Sequence, residues 1–275
     1  MLSSLLLTTA AGAVAGGFGS VFGLGGGFLL VPFFELMLGL PFATATGLSL
    51  MTIVGNSAAV SAAPEGRELV NTRLAMVLQI LTVAGAVTGT TLLSYDLVSD
   101  RFSKRVFGVV AIFGAVAMLA RLNKRNIITE HVEDVGELGG RVPDGDTGRL
   151  VAYHIRRLPL AASASFIAGI VSSLSGIGGG VVIVPALNSW CGVPLRVAAA
   201  TSAIVIGVTA IPGVLSKFPF ADVFATELAA VGVLGVLLGS KAGLWLSPRA
   251  PVRTLKLVLA VILIVLGARY LVSRS

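Results

Sequence analysis

The chain has 275 residues, of which 55% are hydrophobic and only 12% charged, with a mean hydropathy of +0.96 and a net charge of +7. That balance excludes a soluble domain of this length and places the protein in a bilayer. The excess Lys and Arg are scattered through short loops and form no basic stripe on a soluble domain, which argues against nucleic acid as a partner; the single cysteine, Cys191, excludes an internal disulfide or a thiolate metal cluster.

The first apolar stretch, Leu5–Gly23, approaches the ~20 residues that a helical span needs. Met1-Leu2-Ser3-Ser4 ahead of it holds no basic segment, so a retained span is expected rather than a cleaved signal. It runs into Gly23-Leu24-Gly25-Gly26-Gly27. Consecutive glycines weaken a helix and supply positive φ at little steric cost, so the helix should stop here and restart. A restart leaves unpaired amides at the positive end of a helix dipole, which suits an anion, and Gly25, Gly26 and Gly27 become candidate substrate ligands. The short restarted segment, Phe28–Leu40, has Pro32 about one turn in, where a missing N–H costs least. It also carries Glu35, which reads either as a coupling carboxylate or as an interfacial one at a helix end.

Ala43–Ala63 follows, with Thr46 and Ser49 as hydroxyl donors for an oxyanion and Asn56 as a polar residue for a pathway or an interhelical bond. Leu74–Ser94 contains Gln79 and Gly85-x-x-x-Gly89, a pattern for close helix packing. Val106–Leu119 ends the first set of apolar runs. None of the runs alternates apolar with polar residues as barrel strands do, so all are expected to be helices.

From residue 122 to 157 the composition changes. Lys124, Arg125, Arg141, Arg149, Arg156 and Arg157 balance Glu130, Glu133, Asp134, Glu137, Asp144 and Asp146, so the segment reads as a water-exposed, neutral linker between two transmembrane units, 1–121 and 158–275. By the positive-inside rule the linker should be cytoplasmic.

Beyond it, Leu160–Leu174 leads into Gly176-Ile177-Gly178-Gly179-Gly180, whose Gly178, Gly179 and Gly180 are the second set of candidate ligands. Val181–Trp190 is again short, with Pro185 near its start and Asn188 at the position of Glu35. Cys191 reads as a small packed residue. Val197–Leu215 brings Thr201 and Ser202, and Ala225–Leu246 brings Gly235-x-x-x-Gly239 and Lys241, which either attracts an anion or snorkels to the interface. Leu255–Leu271 is the last run.

The two glycine strings are 153 residues apart (176 − 23), and at that offset Ala15/Ala168, Gly16/Gly169, Ser20/Ser173, Val31/Val184, Pro32/Pro185, Gly39/Gly192, Pro41/Pro194, Ala45/Ala198 and Ser49/Ser202 are also identical. Gly85/Gly235 and Gly89/Gly239 match at an offset of 150 (235 − 85). The expected architecture is all-α: a polytopic bundle of two homologous halves, inverted with respect to each other, whose broken or re-entrant helices meet to form the site.

Two apolar halves, each with Gly-(Leu/Ile)-Gly-Gly-Gly-x-x-x-Val-Pro, then Gly-x-Pro, a Thr/Ser-bearing helix and Gly-x-x-x-Gly, resemble the TauE/SafE sulfite-exporter family of membrane permeases over nearly the whole chain outside the linker. The resemblance implies transport of sulfite or organosulfonates. The charge-dense linker and Glu35, where an apolar residue is more usual, depart from the family pattern.

The resulting expectation is a multi-pass protein of the cell (inner) membrane, a secondary transporter of a small sulfur-containing oxyanion by alternating access. Its partners would be the lipid bilayer, the anionic substrate and, with the question open, further copies of itself. No cofactor and no metal is expected: the chain has no P-loop, and His131 and His154 sit in the linker with no metal-spaced pair. An enzyme is disfavoured because Cys191 has no intramembrane histidine partner. A non-transporting scaffold and an anion channel are the alternatives.

Overall fold

The computed structural model describes residues 2–95, 97–120, 136, 138–143, 150–218, 222–246 and 252–272. The first half runs α1 (Leu2–Phe22), the short α2 (Gly27–Pro32), α3 (Phe42–Ala62), a single-turn α4 (Pro64–Leu69), α5 (Thr72–Ser94) and α6 (Asp100–Leu119). The second runs α7 (Leu158–Ser175), the short α8 (Gly180–Pro185), α9 (Leu195–Lys217), α10 (Val223–Leu246) and α11 (Val252–Val272). Among the described residues eight helices are long and apolar enough to cross a membrane, and Gly27–Met37 and Gly180–Trp190 are shorter apolar segments. The protein is thus a multi-pass, all-α membrane bundle.

Pro32 and Pro185 close α2 and α8 as their sixth residues, one to two turns after each restart. Directly after each, the chain widens into one π-helical stretch, Phe33–Met37 and Ala186–Trp190. A proline cannot donate to the α-helical ladder, and a wider turn is one way for the chain to continue past it.

Helices pair across the halves. α1 packs on α10 and α7 on α5, while α3 packs on α9 and α6 on α11. Small residues set the closeness: a Cβ on Gly85 would collide with the Phe166 carbonyl, and one on Gly89 would stand 2.9 Å from the Ile170 carbonyl. Gly235 and Gly239 meet the backbone of Thr9 and Ala13 in the same way. Both Gly-x-x-x-Gly pairs are therefore backbone-approach surfaces.

Equivalent helices run in opposite directions where they touch. Along α3, Gly47, Leu50 and Ser57 face Lys217, Gly213 and Gly207 of α9, so one number rises as the other falls. Gly108 faces Gly267 and Leu271 whereas Gly114 reaches Leu263, giving the same antiparallel sense to α6 and α11.

The linker contains structure that its composition hides. β1 (Gly140–Pro143) pairs antiparallel with β2 (Leu150–Tyr153), Gly140 opposite Tyr153. A lone hairpin is marginal in water and needs a packing partner. Here Val142 and Tyr153 join the main hydrophobic core, and Asn71, the N-cap of α5, donates through Nδ2 to the Leu138 carbonyl at 2.7 Å and to Tyr153 Oη at 2.9 Å. Burial pushes the Tyr153 phenol above its ordinary value, and it stays a neutral acceptor for Asn71. His131 and most of the linker charges lie outside the described residues.

Candidate functional site

Each glycine string turns the chain back on itself inside the bundle. α1 ends at Phe22 and α7 at Ser175, and Gly23 and Gly176 follow them with the same left-handed φ of 69°, the conformation that stops a helix. Gly25, Gly26 and Gly178 also have positive φ, near 80°, whereas Gly179 is right-handed at −67°, so the two breaks are related but not identical.

The breaks are clamped by the opposite half. A Cβ on Gly23 would strike the Ala199 backbone of α9, and one on Gly176 would stand 2.7 Å from Thr46 Cβ of α3. Ala199 and Thr46 are themselves equivalent at the 153 offset. The breaks also touch each other, since a Cβ on Gly27 would stand 2.5 Å from the Gly176 carbonyl, and one on Gly180 would meet the Gly23 carbonyl and come within 2.8 Å of Leu24 Cα.

Ser49 and Ser202 tie this exchange together. Ser49 Oγ donates to the Gly176 carbonyl at 2.8 Å and lies 3.4 Å from the Gly27 carbonyl, and Ser202 Oγ donates to the Gly23 carbonyl at 3.1 Å. Each serine thus holds the break of the other half. Thr46 lies against Gly176 with its hydroxyl bonded back to the Ala43 carbonyl at 2.8 Å. Thr201 faces away: its Oγ1 accepts from the Asn71 amide at 3.1 Å, at the edge where the linker hairpin docks.

The backbone donors at the breaks are left over. The N–H groups of Gly25, Gly26, Gly27 and Phe28, and those of Gly178, Gly179, Gly180 and Val181, donate to no acceptor among the described residues, although every one of these residues is buried. Buried amides without partners are rare and costly, and here two sets of them lie at facing breaks. Ile53 and Ile206, equivalent at the same offset, reach between the sets: a Cβ on Gly25 would stand 2.7 Å from Ile206 Cδ1, and one on Gly178 3.0 Å from Ile53 Cδ1. Extending the repeat alignment beyond polar residues would have found this pair.

The ionisable candidates Glu35 and Lys241 sit elsewhere. Glu35, in the π stretch after α2, pairs with Lys104 Nζ at 2.7 Å and accepts from Tyr270 Oη of α11, and Lys104 also stands over the Phe42 ring. At the equivalent place Asn188 donates to the Val193 carbonyl at 2.9 Å and lines, with Ser189 and Lys256, a cavity of about 30 Å³. Lys241 is exposed on α10. Two cations approach the breaks: Lys256 through that cavity, which Phe22, Leu24 and Val181 also line, and Lys217, at the end of α9, which donates to the Leu174 carbonyl at 3.0 Å at the negative end of α7.

Residues 8–270 match the family model described as Sulfite exporter TauE/SafE. The chain is 25% identical over 273 residues to the "Probable membrane transporter protein YunE" of Bacillus subtilis, covering 97% of each chain. It is 24% identical to a "Probable membrane transporter protein" of Methanocaldococcus jannaschii, covering 93% of this chain and 91% of the relative. It is 25% identical to another so named in Haemophilus influenzae, covering 97% and 98%. No solved structure matches.

Proposed function

The chain belongs to the TauE/SafE sulfite exporter family, whose members here carry membrane-transporter names, and from that premise we propose that it moves a small sulfur-containing oxyanion, sulfite or an organosulfonate, by alternating access. The observation that carries this reading is the pair of facing, buried sets of unpaired amides at Gly25–Phe28 and Gly178–Val181. Amides at a helix start bind anions without burying a full positive charge, which a bilayer interior penalises. Gly25, Gly26, Gly27, Gly178, Gly179 and Gly180 are the contact residues in this reading. Ser49 and Ser202 position the breaks and turn towards the ligand when the halves move apart, and Thr46 and Thr201 flank them.

Alternating access is supported by the antiparallel contacts of α3 with α9 and α6 with α11. Two halves inverted in the membrane present equivalent surfaces to opposite sides, and rocking one against the other opens one side as it closes the other. The short helices and the bonds from Ser49 and Ser202 lie where such a motion would be felt.

Reconstitution tests the reading. Liposomes holding the purified protein should show saturable flux and counterflow of sulfite, sulfoacetate or another sulfonate, while Gly26→Leu and Gly179→Leu, each verified as folded, should lose it. Absence of any oxyanion flux under every imposed pH or sodium gradient would overturn the substrate class, and normal flux in both leucine variants would overturn the glycine site.

A further inference from the structure

Among the described residues four buried side-chain polar atoms meet no hydrogen-bond partner: Asn56 Nδ2, Thr90 Oγ1, Ser103 Oγ and Ser172 Oγ. Three of them fall on one pattern of the repeat. Asn56 is fully buried on α3, and its Oδ1 accepts from Ser240 Oγ of α10 at 2.6 Å. Ser240 Oγ also lies 3.3 Å from the Gly16 carbonyl of α1. A Cβ on Gly19 would stand 2.8 Å from Gly26 N, 3.0 Å from Gly25 C and 3.3 Å from Asn56 Oδ1, so the oxygen edge of the carboxamide borders the first break across the space that Gly19 leaves open, with Nδ2 on the same carbon.

The 153 offset carries Gly19 to Ser172 and Asn56 to Thr209, and the 150 offset carries Thr90 to Ser240. The unpartnered Ser172 and Thr90 thus hold, beside the second break, the places of Gly19 and Ser240 beside the first. Each break is thus accompanied by an unpartnered polar group, Asn56 at the first and Ser172 and Thr90 at the second, although Thr209, the counterpart of Asn56, is bonded to the Val205 carbonyl at 2.7 Å.

A buried donor without an acceptor forfeits its hydration and gains nothing in return. Ser240 occupies the oxygen of the Asn56 carboxamide and leaves its two N–H bonds unmatched, so what is missing is an acceptor, and a sodium ion would not supply one. The amides of Gly25 to Gly27 lack the same thing. We propose that Asn56, held by Ser240, contacts the transported oxyanion, its Nδ2 donating to a ligand oxygen alongside the amides of the first break, with Ser172 and Thr90 serving the corresponding place at the second. This rests on the reading of the breaks as an anion site, and it adds side chains that fix the orientation of the anion.

The test uses full-length protein in detergent and in liposomes, with sulfite and sulfoacetate as probes and both thermal stabilisation and flux as readouts. Asn56→Asp keeps the shape and replaces two donors by negative charge, so oxyanion binding should vanish while the ligand-free protein remains folded. Ser240→Ala should weaken binding about tenfold, the worth of a charge-assisted hydrogen bond no longer held in place. Should Asn56→Asp fail to fold, Asn56→Thr, which copies the residue at 209, should raise the KM for the oxyanion at least fivefold more than it lowers kcat. Affinities within twofold of the parent, in folded Asn56→Asp or in Asn56→Thr, overturn the proposal. A parent protein that neither binds nor moves any oxyanion overturns instead the glycine-site reading beneath it.

Discussion

Gly23 and Gly39 have nearly the same left-handed φ, 69° and 68°, and entirely different surroundings. A Cβ on Gly39 meets nothing within 4 Å, whereas one on Gly23 strikes the backbone of Ala199. Gly39→Ala should therefore lose only the conformational term, about 1–2 kcal/mol. Gly23→Ala adds a collision that backbone must absorb and should lose about 1–3 kcal/mol more, as read by thermal unfolding of the detergent-solubilised protein. Ser49→Ala and Ser202→Ala each remove one bond between halves, and losses of about 1 kcal/mol apiece are expected. The importance of Ser49 and Ser202 was visible in the repeat, but that each reaches the break of the other half was not: a matching offset reports equivalence and is silent about which copy a side chain touches. Thr201 illustrates the limit, since it looks as good an oxyanion donor as Ser202 and is instead taken up by Asn71.

At the scale of elements, the spans were legible because apolar length is a composition property, and their breaks because glycine strings have few other uses. The π stretches and the linker hairpin were not. The former depend on how the chain continues past Pro32 and Pro185, the latter on Asn71 and a patch of core far away in sequence. The Glu35 cluster belongs to this scale, because it joins the stretch after α2 to α6 through Lys104 and to α11 through Tyr270. With side-chain exposures of 13% and 22%, Glu35 and Lys104 are shielded enough for their coupling to be measurable. A double-mutant cycle of Glu35→Gln and Lys104→Met should show a coupling of about 1–3 kcal/mol, and additive losses would mean that the pair contributes nothing beyond packing.

For the whole molecule, the relative direction of the halves decides where the loops emerge. α5 and α9 run the same way, since Asn71 meets Thr201 and Gln79 donates to the Val205 carbonyl further along both helices. Their far ends, at Leu97 and Asp222, should then lie on one side of the membrane and His154 on the other. In a Cys191→Ser background, an impermeant maleimide should label Leu97→Cys and Asp222→Cys from one face and His154→Cys from the opposite face. Labelling of the first two from different faces would contradict the inverted arrangement. Composition and repeat offset discriminate only weakly here: an odd number of crossings per half gives the larger asymmetry of basic loops and so favours inverted halves, and an even number shrinks that asymmetry.

The pairing of α1 with α10 also governs how the protein is made. Roughly 200 residues separate Phe22 from Val223, and at a synthesis rate of about 5–20 residues per second the ribosome needs roughly 10–40 s to produce the partner that covers α1. Ser49 waits in the same way through 127 residues for Gly176, and Asn56 through 184 for Ser240. During that time the first half stands in the bilayer with polar groups and glycine faces bare to lipid. Chains stalled or truncated before α10 should therefore be taken by the membrane's quality-control proteases, at a rate that a pulse-chase of truncated and full-length protein would read.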